Sequence, residues 1–180
     1  MSYIIPTDEL TIQEMSAMRG RAQVAAKQRA SRLLSVPESS LEFRHAETVA
    51  DFGCATDQWN TTPLAVVNNA YSVFPAAAGN PTLGVRRVAV FYKVGVETVP
   101  SPVSLLSFRQ GAAAGTTRAV FDLEQLVNKT QVDGYFSEVV VYDPQEVLNI
   151  VVTCRIATGL LARVILGCWI VEPIGAITSS

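Results

Sequence analysis

The sequence predicts a mainly β protein: a single antiparallel β-sandwich or barrel behind an N-terminal α-helical arm. Three observations predict it. Residues 7–35 are rich in helix formers and open on a helical start signal. After position 40 the apolar residues alternate with a period of two. Prolines and glycines separate those segments, with no helix between them long enough for a parallel crossover. The domain division follows: a helical arm over 1–37 and a β domain over 38–180. A chain of 180 residues buries roughly 70% of its unfolded surface, so it needs no covalent staples.

The arm is expected to start at Thr7, a capping residue, with Asp8 and Glu9 in the first turn where the helix dipole favours anions. Met15, Met18, Ala22, Ala26 and Leu33 lie near one face at helical spacing. That stripe is thin and rich in alanine, so the helix should lie on something larger. Pro37 ends it. Charge is uneven along the chain. Residues 1–14 carry three acids and no base, residues 15–37 five bases and no acid, and the net charge is −2. Arg19, Arg21, Lys27, Arg29 and Arg32 are therefore the candidate partner-binding residues.

Each strand has its own signal. "LEFRH" at 41–45 places Leu41, Phe43 and His45 on one side. "LAVVNNAYSVF" at 64–74 suits one or two short strands. In "VRRVAVFYKVGVET" at 85–98, Val88, Val90, Tyr92, Val94 and Val96 share an apolar face, and Arg87, Lys93 and Glu97 share a wetter one. Pro100 and Pro102 break it. "VSLLSFR" follows at 103–109, then a small-residue loop "GAAAG" at 111–115, a strand at 116–121 and a helical turn at "DLEQLV". "EVVVYDPQEVLNIVVTC" reads as a hairpin, with Asp143-Pro144 as a type I turn and Leu148, Ile150, Val152 and Cys154 facing one way.

"IATGLLARVILGCWIVEPIG" at 156–175 resembles a membrane span in its apolar content. Arg163 interrupts it, the longest uncharged piece is 164–171, and an arginine at mid-bilayer costs about 3 kcal/mol. Its β-branched residues instead predict a strand over 160–172 covered on both faces. Leu160, Val164, Leu166, Cys168 and Ile170 point one way, and Leu161, Ile165, Trp169 and Val171 the other. The second face needs cover from the arm or from another subunit.

Chemical motifs are sparse. The single histidine, His45, sits on an apolar strand parity and reads as structural. Glu138, Asp143 and Glu146 read as solvated turn acids. Cys54, Cys154 and Cys168 form no CxxC pair and read as buried thiols in a reducing compartment. "MSYIIPTDEL" lacks the basic start and apolar run of a signal peptide, so the triplets at Asn60 and Asn128 read as chance glycosylation matches. No catalytic group, metal site or cofactor is expected, and no enzyme activity.

Charged residues are only 17% of the chain, against roughly 25% in an average globular protein, which favours a surface covered by neighbours. The strand ladder "VRRVAVFYKVGVET", "VSLLSFR", "EVVVYDPQEVLNIVVTC" and "LLARVILGCWIVEPI" behind a helical extension resembles the small single jelly-roll major capsid proteins of tailless icosahedral phages with an internal membrane, such as those infecting Thermus. That resemblance implies a jelly-roll sandwich whose copies tile into capsomers of a virion assembled in the host cytoplasm, with one end toward the lipid vesicle. It also implies that the arm around Arg19 to Arg32 lies inside the shell or clasps a neighbour. The expected partners are other copies of the chain, other capsid proteins and anionic lipid headgroups at the arm. Nucleic acid and small-molecule substrates are not expected. The alternative from another class is a ligand- or receptor-binding β-sandwich of spike or carbohydrate-binding type, which predicts a concave pocket with Tyr71, Trp59 or Tyr135 exposed.

Overall fold

The computed structural model describes residues 2–56, 59–74, 80–97, 101–111, 115–126 and 132–175. Pro100, residues 112–114 of the small-residue loop and the Asn128 triplet lie outside these.

Threonine and glutamate spaced as a capping box set where the helix begins. α1 (Ile12–Leu34) starts after Thr11, whose side chain accepts from Glu14 N while Glu14 reaches back to the Thr11 backbone. This corrects the expected start at Thr7. Thr7–Glu9 is a 3-10 turn, and the Thr7 hydroxyl is drawn off to Asp133. The helix ends at Ser35, in the left-handed region at φ 54°. Its inner stripe runs through Met15, Met18, Ala22, Ala26, Ala30 and Leu34; Leu33, expected there, is exposed, because the stripe ends on the four-residue spacing of Ala26, Ala30 and Leu34, which turns Leu33 aside.

Among the described residues nine strands form two antiparallel sheets, and β1 lies in the segment read as part of the helical arm. β1 (Ile4–Pro6), β2 (Leu41–His45), β4 (Val88–Val96), β7 (Asp133–Tyr142) and β9 (Val164–Pro173) form a five-stranded sheet ordered β1-β7-β4-β9-β2. β3 (Ala70–Ser72), β5 (Val103–Gln110), β6 (Thr116–Asp122) and β8 (Leu148–Cys154) form a four-stranded sheet ordered β3-β8-β5-β6. A helix of one turn and a half, α2 (Thr48–Phe52), follows β2. The sheets face each other across an apolar core. Phe91 of the first sheet meets Phe108 of the second at 5.3 Å between ring centroids, and Phe136 stacks on Phe121 at 4.1 Å. As expected, Leu148, Ile150, Val152 and Cys154 all enter this core.

The expected hairpin at Asp143-Pro144 is not one. β7 and β8 belong to different sheets, so the turn carries the chain across the sandwich. Both arms are apolar on their inner faces, and facing sheets satisfy that pattern as well as pairing does. The turn itself is closed by Glu146 N donating to Asp143 O at 3.1 Å, and Gln145 at φ 64° makes it type II rather than type I.

β4 departs from simple alternation. Its register against both neighbours shifts between Phe91 and Lys93, a bulge at Tyr92. Val88, Val90 and Tyr92 therefore face α1, whereas Val94 and Val96 join Ala89 and Phe91 in the sandwich core. The single apolar face expected of this strand is split by the bulge, and both faces are buried. Arg87 turns toward the core side and Lys93 toward the helix side.

β9 keeps its predicted parity but starts later. Val164, Leu166, Cys168 and Ile170 enter the sandwich core, and Trp169 and Val171 lie under α1. Leu160 and Leu161 precede the strand and are exposed, because the loop there pairs with residues 61–64 instead of entering the sheet. Ile165, on the outward parity, also stays half exposed, beyond the reach of the helix. The cover over the second face comes from the arm of the same chain. β1 likewise ties the arm into the sheet by pairing with β7.

Gly134 sits where β1 crosses β7. A Cβ there would collide with the Ile4 side chain and lie 2.8 Å from the Ile5 carbonyl oxygen. Gly134→Ala should push β1 off the sheet edge and cost about 1–3 kcal/mol, the usual range for overpacking. Amide exchange should show faster exchange in residues 4–6 than in β4; unchanged protection would contradict this account of the crossing.

Candidate functional site

α1 lies across the outer face of the five-stranded sheet. Ala26 and Ala30 are fully buried, and their small side chains let the helix settle onto Val88, Val90, Tyr92, Trp169 and Val171. The centre of this contact is Tyr92 stacked on Trp169, 3.9 Å between centroids and 15° from parallel, with Phe43 edge-on to Trp169 at 5.8 Å. Thin as it is, the stripe works because the sheet supplies the bulk.

The five basic residues of α1 are not equivalent. Arg29 pairs with Asp143 at 3.1 Å, and the Lys27 ammonium lies 5.5 Å from the centre of the Phe43 ring. Arg19, Arg21 and Arg32 are exposed, and their side chains form no ion pair among the described residues. The structure thus spends two cations on holding the helix down and leaves three free.

Two charged clusters fix the surroundings. At the first, Asp133 accepts from Thr7 at 2.5 Å and pairs with Lys93, tying the arm to β7 and β4. Burial pushes its carboxyl up, but the hydrogen bonds from Lys93 and Thr7 outweigh that and hold it below the usual carboxylate range. The second closes the β2 side of the sandwich. Glu172 is fully buried and accepts from Arg44 Nε at 2.6 Å and Arg87 Nε at 2.9 Å. Asp51, on α2, receives both terminal nitrogens of Arg44 and, at 3.4 Å, one of Arg87. The hydrogen bond to Asp51 above all raises the Arg44 guanidinium further above its ordinary value, against the opposing effect of burial. Two guanidiniums meet two carboxylates, and the cluster is neutral.

Sequence reasoning overlooked Arg44, Asp51 and Glu172. One signal was present: Glu172 continues the core parity of Leu166, Cys168 and Ile170, and an acid on a buried parity requires a buried cation. Nothing local pointed to Asp51.

The other singled-out residues are scattered. His45 keeps its strand parity but is exposed at the end of β2. Glu146 pairs with Arg118 and also accepts from Asp143 N, and Asp143 holds Arg29, so these acids bind partners rather than being simply solvated. Trp59 and Tyr135 are buried, and the Tyr71 hydroxyl accepts from Ala65 N and Val66 N; none of the three stands out into solvent. All three cysteines are buried and none of them is in a disulfide, and burial pushes the Cys168 thiol well up, away from reactivity. Among the described residues no group of three His, Cys, Asp or Glu side chains could hold a metal, and no helix is long and apolar enough to cross a membrane.

No protein-family model matches the chain, and no curated protein does. What the molecule presents for function is therefore its own surface: the free arginines of α1, a groove beside that helix, and exposed aliphatic loops at one end of the sandwich.

Glu172→Ala would strand Arg44 and Arg87 beside an apolar cavity, and the loss should be about 3–5 kcal/mol. Urea unfolding would read it as a lower midpoint; a midpoint within experimental error of the parent would show that the cluster carries no structural weight. Asp133 predicts an acid dependence. Its folded value is depressed, so its contribution is complete above about pH 4 and is lost as pH falls through the folded value. Asp133→Asn should flatten the fall of Tm between roughly pH 2 and pH 5. An unchanged slope would remove Asp133 from the anchoring of the arm.

Proposed function

We propose that this chain is a structural virion protein, a single jelly-roll capsid subunit that self-assembles into an icosahedral shell. The strand order carries the reading. With β2 to β9 counted as strands one to eight, the first sheet runs one-eight-three-six and the second two-seven-four-five. That interleaving is what a long hairpin wound on itself produces, two Greek keys forming a jelly roll. β1 and α1 are then an N-terminal extension, β1 added at the edge of the first sheet beside β7 and α1 laid along that sheet's outer face.

A fold of this kind serves several functions, so the surface must argue for one. The low charge fraction and the exposed Val66, Val67, Leu160 and Leu161 suit a surface met by neighbours. Partners in this reading are other copies of the chain and other capsid proteins, in the virion. Arg19, Arg21 and Arg32 are free to meet anionic lipid headgroups. The ligand-binding reading needed Tyr71, Trp59 or Tyr135 exposed in a pocket. Trp59 is buried in the core, Tyr71 is half-buried with its hydroxyl tied to Ala65 and Val66, and Tyr135 lines a cleft beside α1 but is itself buried, so none of the three is offered as an exposed platform.

The test is assembly of the full chain. Light scattering and electron microscopy of concentrated protein should reveal capsomers or closed particles of uniform size. A monomer at every concentration would end the proposal.

A further inference from the structure

Three polar side chains of the N-terminal arm are anchored on carboxylates of β7 and of the turn that follows it. The Ser2 hydroxyl donates to Glu138 Oε1 at 2.8 Å and the Thr7 hydroxyl to Asp133 Oδ1 at 2.5 Å. Arg29 donates to both oxygens of Asp143, at 3.3 and 3.1 Å. Beside these run the backbone pairing of β1 with β7 and the Lys27 ammonium over Phe43. A hydrogen bond to an ionised carboxylate is roughly twice as strong as one between neutral groups, so each anchor weakens when its acid is protonated.

Charged neighbours surround all three acids. Lys93 of β4 pairs with Asp133, and Asp8 and Glu9 share the turn of Thr7. Glu14 and Arg21 of α1 line the same cleft as Glu138. Glu146 accepts from Asp143 N and pairs with Arg118 of β6. The wider balance has the same sense. Residues 1–37, with five bases and three acids, are net positive at neutral pH, and residues 38–180, with nine bases and thirteen acids, are net negative. Arm and sandwich therefore attract. Protonating the acids leaves both positive, so the step that neutralises the anchors also turns attraction into repulsion. The capping box goes with them, since Glu14 accepts from the Thr11 amide and hydroxyl.

The arm is built to leave without opening the sandwich. Apart from Ile4, the apolar residues it buries belong to a second cluster, separate from the core between the sheets. Separate clusters open as separate units. The side chains α1 buries completely are Ala26 and Ala30, so the helix brings little apolar area of its own to the contact. The chain turns away at Ser35, in the left-handed region, just before Pro37. Beyond that hinge Ser40 O accepts from Ile174 N at 2.9 Å, which holds the start of β2 in place.

We propose that the arm is an acid-released lid: protonation of Asp133, Glu138 and Asp143 frees residues 2–34 and uncovers the outer face around Tyr92 and Trp169, while the two sheets stay folded. The lid stands independently of the shell reading.

Amide exchange of the full chain tests this, with each protection factor corrected for the intrinsic rate at its pH. On going from neutral pH to about pH 2.5, below the ordinary carboxylate range, residues 4–34 should lose roughly tenfold or more in protection. β5 and β8 should keep theirs. Two variants repeat the release at neutral pH. Asp133→Asn with Glu138→Gln and Asp143→Asn removes the charge from the sandwich side. Ser2→Ala with Thr7→Val and Arg29→Gln removes the donors from the arm and leaves the sandwich untouched, so it carries the test even if the first variant fails to fold. In each, the arm should be less protected than the parent's at neutral pH and should lose less on acidification. Loss of protection by the arm and β8 together would make the molecule one cooperative unit and overturn the lid. So would an arm that keeps its protection in acid, or an arm-side variant that responds to acid as the parent does.

Discussion

The stacking of Tyr92 on Trp169 is the contact on which the rest of this molecule is arranged. The two rings lie on neighbouring strands, on the side of the sheet away from the sandwich core, and α1 covers them. Apolar rings of that size cannot remain in water without a large penalty, so the outer face of the sheet demands a lid. The neighbouring residue shows how closely this is packed. A Cβ at Gly167 would lie 2.8 Å from the Lys93 Cβ and 3.0 Å from the Tyr92 ring, so the bulged β4 can lean on β9 only where β9 has no side chain. The bulge, the glycine, the stack and the helix form one device.

Charge is used sparingly and at the margins of that device. The Arg44–Asp51–Glu172–Arg87 cluster ties β2, α2, β9 and the start of β4 into one neutral knot, and the Thr7–Asp133–Lys93 cluster ties the arm to β7. Burying four charges gains little net stability over apolar packing, because desolvation offsets the attraction. What such a knot supplies is uniqueness: a slipped register of β2 on β9 would leave a guanidinium or a carboxylate buried alone. In a protein with few charged residues, two such knots go far to pin the edges of an apolar sandwich.

The inner faces are buried between the sheets and one outer face lies beneath the helix, so the apolar side chains left open lie on loops, on the outer side of α1 and on strand positions the helix does not reach. Exposed apolar residues are spread among several elements: Ile12 and Val24 on α1, Val85 before β4, Leu160 and Leu161 before β9 and Ile174 after it.

Most of the strands, the inner faces of β8 and β9 and the need for a cover over Trp169 and Val171 were legible in local pattern, whereas β1 and α2 were not read from it. Alternation reports which side chains avoid water, and Leu148, Ile150, Val152, Cys154, Val164, Leu166, Cys168 and Ile170 obeyed it. The placement of strands relative to one another was not legible. Two apolar arms joined by Asp143-Pro144 are compatible with pairing in one sheet or facing across two, because burial is satisfied either way, and only the assembled sandwich chose the second. The bulge at Tyr92 was hidden for the same reason: both faces of β4 are apolar, so a slip of parity leaves no trace in the residues. The helix face was read in part, omitting the buried Ala30 and taking Leu33 for Leu34, while the true cap at Thr11 lay in plain view three residues before Glu14. The ionic cluster joins positions as far apart as Arg44 and Glu172, a proximity that long-range strand pairing alone creates. Local chemistry determined which groups had to be hidden; the packing of the two sheets and α1 determined from what, and beside which partners.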